Sequence, residues 1–440
     1  MFSLSICAQK VNGTTDDVEV SLDLDLRANV LDTELPFWVH TNTFGRLGNR
    51  TTGYAGASSK IDYTVNERSR ISVGISAFYR DGVTSELQRN ELYVQYERPV
   101  WRVVLGSKNP EVSDSYLSTT NENIILSGNT RSLPGILLET TKPLQIFNRI
   151  HIDVGLGHYL LNDEQRFVQN TRVHYKRFYA LYNLNGKHSI KAGIQHFAQW
   201  GGTSPSLGGQ PNGLSDFARI FVGSGGGDNS FDGEQVNALG NHLGSIDAFY
   251  AYTHNKGVLS AYHLHLFDDG SGTRFANFPD GVWGLKYKFK NYKDLIINYE
   301  YIDTRNQSGS SGRSGRDNYF SNSIYRSGWT YEGEIIGLPF FELNQETGLG
   351  ISNNRVVAHH IAARISPIKK LTVTGKMTYL INKGTFASPR IPNQQSLLNY
   401  ARIDYFTKFG DINFTAGYDI NNNNRLNGWT IGLGYKYALN

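Results

Sequence analysis

The chain has 440 residues, with 43 Lys and Arg against 39 Asp and Glu, and a net charge of +4 is too small over this length to imply a nucleic-acid partner. Mean hydropathy is −0.40, no apolar run approaches the roughly 20 residues of a membrane-spanning helix, and 26 Tyr, 23 Phe and 46 Gly argue against disorder. A single cysteine, Cys7, excludes an internal disulfide and a Cys-based metal site.

Residues 1–8, ending Ile6-Cys7-Ala8 before Gln9, read as the remnant of a secretory signal peptide, which leaves 9–440 as a single domain. Two early segments compete for the first strand. Val18–Val30 alternates strictly, and Pro36–Arg46 is also extended in pattern; whichever is unused would fold inside or over the structure. Further candidate strands follow at 52–65, 69–81, 88–98, 100–109, 133–142, 149–162, 167–184, 188–200, 244–255, 257–268, 281–290, 294–305, 354–367, 369–382, 397–409, 411–422 and 426–438. In Arg70–Tyr79 the apolar row is Ile71, Val73, Ile75, Ala77 and Tyr79, set against Ser72, Gly74 and Ser76. In Leu285–Lys290 one face is Lys286, Lys288 and Lys290, so that face must meet water. A transmembrane antiparallel β-barrel of about 18 strands meets both demands, with lipid outside and a wet or plugged lumen inside. Tyr79, Tyr96, Tyr301, Tyr379, Tyr418 and Tyr435 fall near strand ends, where an interfacial girdle is needed. The connections then sort by parity. Short turns follow alternate strands, while the long loops, about 110–132, 201–243, 306–353 and 383–396, all fall on the other side, as in outer-membrane barrels.

The long loops are where function is expected. In 201–243, Leu214, Phe217 and Phe221 share one face of a short helix and are expected to fold back and occlude the lumen. Asp228, Ser230 and Asp232 resemble the start of a calcium loop, but the closing acidic position is Leu239, so the segment reads as a solvated turn and no metal site is assigned. Loop 306–353 interleaves cations with rings. Arg313, Arg316, Tyr319, Tyr325, Arg326, Trp329 and Tyr331 suit an acidic polysaccharide, whose C–H faces stack on rings and whose carboxylates accept forked Arg donors. The competing reading is that these rings pack the loop into the lumen. No Walker lysine and no nucleophile elbow is present, so no catalytic residues and no cofactor are assigned.

Pro36-Phe37-Trp38, Trp200-Gly201-Gly202, Asn237–Ser245 and Tyr325–Tyr331 followed by Ile336-Gly337-Leu338-Pro339 resemble the capsule assembly protein Wzi family in its Bacteroidota-type branch. The resemblance runs in order over most of the chain. It implies an eighteen-stranded outer-membrane barrel, occluded by periplasmic helices and an infolded extracellular loop, that acts as a lectin-like element attaching capsular polysaccharide to the cell. No long helical bundle precedes the first strand in this chain. The expected function is therefore a non-enzymatic, integral outer-membrane protein of Gram-negative cells that binds surface polysaccharide and helps assemble or attach the capsule. The expected partners are that polysaccharide, outer-membrane lipid and lipopolysaccharide, and other outer-membrane proteins. Two alternatives remain open at this point: a diffusion porin for small solutes, and an accessory barrel of a larger outer-membrane complex.

Overall fold

Period-two alternation builds every wall strand. The computed structural model describes residues 17–112, 116–268, 270–309, 317–423 and 427–439, so the expected signal-peptide remnant at 1–8 lies outside the described residues. The wall runs β1 (Val18–Leu31), β2 (Gly53–Asn66), β3 (Ser69–Arg80), β4 (Leu87–Glu97), β5 (Trp101–Ser107) and β6, in two segments (Gly135–Thr140 and Leu144–Phe147). It continues through β7 (Ile150–Leu161), β8 (Thr171–Asn183), β9 (His188–Trp200), β10 (Asn241–His254), β11 (Gly257–Phe267) and β12 (Gly281–Phe289). The last six are β13 (Ile296–Asp303), β14 (Val356–Ile368), β15 (Leu371–Gly384), β16 (Pro389–Thr407), β17 (Gly410–Asn421) and β18 (Gly428–Leu439). Neighbours pair antiparallel in chain order, and β1 pairs with both β2 (Val18↔Tyr63) and β18 (Leu22↔Leu439). The wall is thus a closed barrel of 18 strands with no free edge, the condition for crossing a bilayer with strands.

One row of each strand faces lipid. Val30 is 65% exposed, Leu105 60%, Ile75 57% and Leu433 58%, a distribution that only an apolar solvent tolerates around a whole wall. Tyr63, Tyr79, Tyr182, Trp283, Tyr379, Tyr418, Trp429 and Tyr435 are exposed in the same outward rows and form the girdles. Short turns (67–68, 98–100, 148–149, 184–187, 255–256, 290–295, 369–370 and 408–409) share one end with residues 17 and 439. The long connections 32–52, 108–134, 201–240 and 304–355 share the other, which is the extracellular end by the asymmetry of outer-membrane barrels.

The first wall strand is Val18–Leu31, and Pro36–Arg46 folds inward, carrying a one-turn helix α1 (Phe37–His40). Asp419 on β17 accepts the Phe37 amide at 2.7 Å, and Trp38 Nε1 donates to Thr378 Oγ1 on β15 at 2.9 Å, fixing α1 across the lumen. The expected long loop at 383–396 is instead a tight connection at 385–388, because β15 and β16 extend as a paired hairpin above the membrane, with Gly384 opposite Pro389.

Loops 32–52, 108–134 and 304–355 together fill the extracellular half of the lumen. Trp38, Ile124, Ile125, Trp329, Ile336, Leu338, Phe340 and Phe341 join inward side chains of the wall, among them Phe197, Leu243, Leu264 and Val356, in one apolar core. Phe37 stacks on Phe340 at 5.3 Å between centroids, linking the first and last of these loops. Polar groups inside this core are satisfied between loops: Ser127 Oγ donates to the Gly337 carbonyl at 2.7 Å, and Asn129 Nδ2 donates to that of Ile335 at 3.0 Å. On the lysine face of β12, Lys286 forms an ion pair with Glu122 of the infolded loop, a polar partner of the kind a plugged lumen supplies.

Loop 201–240 does not enter the lumen. Its helix α2 (Leu214–Val222), followed by α3 (Asp232–Val236), lies against the outer face of the wall. Phe217 packs on His158 of β7 at 5.8 Å, His174 of β8 at 5.2 Å and Trp200 of β9 at 5.5 Å, all side chains of the outward rows. Ile220 is fully buried against Ala198, Trp200 and Leu239. The expected lumen-occluding face of Leu214, Phe217 and Phe221 is therefore corrected: Leu214 is 90% exposed, Phe217 and Ile220 pack on the outer wall, and the partly exposed Phe221 rests there on His174 at 5.1 Å. An apolar helical face requires a partner surface, and a lipid-facing wall supplies one as readily as a lumen does.

Candidate functional site

Among the seven residues expected to contact polysaccharide, four are packing residues in this fold. Tyr319, Tyr325, Trp329 and Tyr331 are at most 3% exposed. Trp329 Nε1 donates to the Ile125 carbonyl at 2.8 Å, Tyr331 OH donates to Asn162 at 3.0 Å, and Tyr319 OH donates to Asp280 at 2.8 Å. Their ring faces leave no room for a sugar. Two glycines of the same stretch show why the chain turns there. Gly328 sits at φ 74°, and a Cβ would stand 2.5 Å from the Phe320 carbonyl oxygen; at Gly337 it would stand 2.5 Å from that of Ile124. Arg313 and Arg316 lie outside the described residues. Arg326 is exposed, with its guanidinium 4.7 Å from the ring centre of Phe167, in the connection between β7 and β8.

A second arginine platform stands at the same end. Arg355 lies immediately before β14, and its guanidinium is 3.9 Å from the ring centre of Phe386 in the tight β15–β16 connection. Its Nε donates to the Arg305 carbonyl at 3.3 Å. Arg305 in turn holds Asp303 through Nε at 2.9 Å and Nη2 at 2.5 Å, and these bonds raise its pKa above the ordinary arginine value. Burial, then the charge of Arg305, lowers that of Arg355. On β16, Arg390 pairs with Glu342 at 2.8 Å. Two guanidinium groups, of Arg305 and Arg355, thus stand with the Asp303 carboxylate beside the half-exposed Phe386 ring. Such a surface accepts an anion through forked donors while a sugar face lies on the aromatic.

The base of loop 304–355 is anchored by Asp280, fully buried just before β12. It accepts the amides of Asn306 at 3.0 Å and Gln307 at 2.8 Å as well as the Tyr319 hydroxyl. Burial pushes its pKa up to about 6 despite these bonds. Arg166, 4% exposed, pairs with Asp163 at 2.7 Å and also donates to the Thr330 carbonyl, so it positions the loop and is not available to a ligand.

The sequence profile of the capsule assembly protein Wzi family matches residues 47–421. The chain belongs to that family. No curated protein sequence matches it. Among solved structures, this Wzi-family barrel is similar to Wzi of Escherichia coli, described as an outer-membrane protein involved in group 1 capsule assembly and a carbohydrate-binding β-barrel. The two share 14% identity and a TM-score of 0.63, over 94% of this chain and 84% of that one. It is also similar to OccK3 (OpdO) of Pseudomonas aeruginosa, at 11% identity and TM-score 0.52 over 96% of both chains. OprD of the same organism gives 8% identity and TM-score 0.50, over 96% of this chain and 95% of that one. These likenesses show the barrel fold; family membership together with the closed, outwardly apolar wall of 18 strands places the chain in the outer membrane as an integral protein.

Phe167, Arg355, Phe386 and Arg390 were not singled out by the sequence reading. Arg390 and Phe386 fell inside a segment read as loop, and only the pairing of Gly384 with Pro389 brings Phe386 beside Arg355. A charged residue at a strand start followed about 30 positions later by a hairpin aromatic is too common a pattern to signal a site.

Proposed function

We propose that this Wzi-family barrel binds capsular polysaccharide at its extracellular end and so helps to assemble or attach the capsule, without catalysing a reaction. The observation that carries the reading is the pair of arginine platforms, Arg355 on Phe386 at 3.9 Å and Arg326 on Phe167 at 4.7 Å, raised on a barrel whose extracellular half is filled by its own loops. Diffusion of solutes needs a continuous lumen, whereas attachment of a polymer needs only a rigid outer platform. The filled core supplies rigidity, because each loop is pinned to the wall by buried hydrogen bonds and ring contacts. Family membership and the carbohydrate-binding description of the E. coli protein support the same ligand class.

The test is capsule retention. Cells lacking the protein are complemented with wild type or with Arg305→Gln/Arg355→Gln, and cell-bound and released polysaccharide are measured. The variant should shift polysaccharide from cells to medium. Wild-type retention by a variant present at wild-type level in the outer membrane would reject these residues as the binding platform.

A further inference from the structure

The outer wall changes character along β8 and β9. Phe178 and Ile194 pair there as exposed apolar residues of the lipid-facing rows. The next outward pair toward the extracellular end is Lys176 with His196, and the outward row of β8 ends in His174 and Arg172. On β1, by contrast, that row stays apolar from Val20 through Leu22, Leu24, Leu26 and Ala28 to Val30. Arg172 and Lys176 stand four residues, about 13 Å, apart along one strand. Helix α2 lies beside them. Arg172 Nη1 donates to the Asn212 carbonyl at 3.3 Å, just before the helix, and Lys176 Nζ donates to the Phe221 carbonyl near its end. The helix thus descends the wall, and its last turn reaches the top of the lipid-facing rows. Both cations also lie against rings, Arg172 on Trp200 at 5.1 Å and Lys176 on Phe221 at 4.8 Å, and no carboxylate among the described residues pairs with either. The apolar arc of α2 is wider than the wall covers. From Ile220 and Phe217 it continues around the helix through Phe221, Leu214 and Ala218 to Val222, which is 71% exposed.

We infer that this face binds a phosphorylated glycolipid of the outer leaflet, the lipid A part of lipopolysaccharide. One phosphate lies on Arg172 and the other on Lys176, and the acyl chains run down over Phe178, Ile194, Phe221 and Val222. The extracellular end of the wall borders that leaflet, so the exposed arc of α2 continues a surface already in contact with lipid. A cation on a lipid-facing row is costly unless an anionic headgroup meets it, and both side chains keep N–H donors for phosphate beyond their single carbonyl bonds. A disaccharide with a phosphate at each end spreads two charges on the scale that separates the two cations. A phospholipid brings one phosphate and leaves one cation unanswered. A second copy of the chain, joined by a two-fold contact, would bring the same two cations face to face. The site is on the outside of the barrel, and the inference does not rest on the Arg355 platform or on polysaccharide binding there.

The experiment titrates the full protein in detergent with diphosphoryl lipid A, its dephosphorylated form and phosphatidylglycerol, and reads bound lipid and oligomeric state together by native mass spectrometry. Wild type should bind diphosphoryl lipid A at least about tenfold more tightly than the other two lipids. Arg172→Gln/Lys176→Gln should lose about tenfold or more, and Phe221→Ser/Val222→Ser should lose severalfold. Arg172→Lys/Lys176→Arg, which keeps both charges, should stay near wild type. So should Lys369→Gln/Lys370→Gln, which removes two charges from a short turn at the other end of the barrel. Folding of each variant is checked by its heat-dependent mobility on gels. Undiminished binding by either of the first two variants, equal affinity for dephosphorylated lipid A or phosphatidylglycerol, or no lipid A binding by wild type would each overturn the inference. A dimer that Phe221→Ser/Val222→Ser abolishes would also overturn it, by giving this face to a second copy of the chain.

Discussion

Replacing Trp329 by alanine tests whether the infolded loops are what seals this barrel. Trp329 is fully buried, lies 5.2 Å from the Phe197 ring on the wall, and donates its indole N–H to the Ile125 carbonyl of a different loop. Truncating a buried Trp costs about 3–5 kcal/mol, and leaving the Ile125 carbonyl without its donor adds to that. Four kcal/mol is about a thousandfold in the opening equilibrium of the loop. The barrel wall should survive, because its strand pairing does not involve Trp329 and opening of loops occurs below the global unfolding free energy. Wild type should show negligible steady conductance in planar bilayers. Trp329→Ala should show intermittent conductance and faster proteolytic cleavage within 317–355, while keeping the heat-dependent gel mobility of a folded barrel. A variant that stays closed and protease-resistant would refute the role given to this core, and so would a large steady conductance of the wild type.

Deleting 205–239, which removes α2 and α3 from the outer wall, should leave conductance negligible in the same assay; an opened channel would return that loop to the lumen. Leu214→Ala should change stability by less than about 0.5 kcal/mol, since Leu214 is exposed, whereas Ile220→Ala should cost about 2–5 kcal/mol by thermal unfolding. Asp280 has its folded pKa raised from 3.8 to about 6, so it binds more protons folded than unfolded; its contribution is fully present below about pH 4 and lost as pH rises through 6. The shift of about two units corresponds to about 3 kcal/mol. Protection of the 304–309 amides, corrected for intrinsic exchange, should therefore be greater at pH 4.5 than at pH 7, and this difference should vanish in Asp280→Asn. Lys256, in a short turn, should resist surface labelling on intact cells, while a cysteine at Ser388 should be labelled.

The wall was legible because lipid outside and polar or packed groups inside impose the same two-residue period on every strand. That pattern carries across β3, β12 and β17 without reference to anything distant. The two early segments could not be ranked, since both are extended and only the pairing of β1 with β18 closes the barrel. Side was the other blind spot. The face of α2 announces burial, yet the sequence does not distinguish an apolar lumen from an apolar outer wall. The same physics hid the proposed platform. Arg and aromatic residues in 306–353 were read as one surface, but Trp329 and Tyr331 are consumed by packing, and the exposed stacks borrow Phe167 and Phe386 from other connections. Proximity across loops is set by barrel closure, which local sequence does not encode.

The most direct measurement is the affinity of the purified protein, in nanodiscs, for capsular polysaccharide purified from its own cells, compared with the Arg305→Gln/Arg355→Gln/Arg390→Gln variant at low salt. The account predicts saturable binding by wild type and a loss of about tenfold or more in the variant, with the difference shrinking as salt screens the charges. No binding by wild type, or undiminished binding by a folded variant, would contradict it.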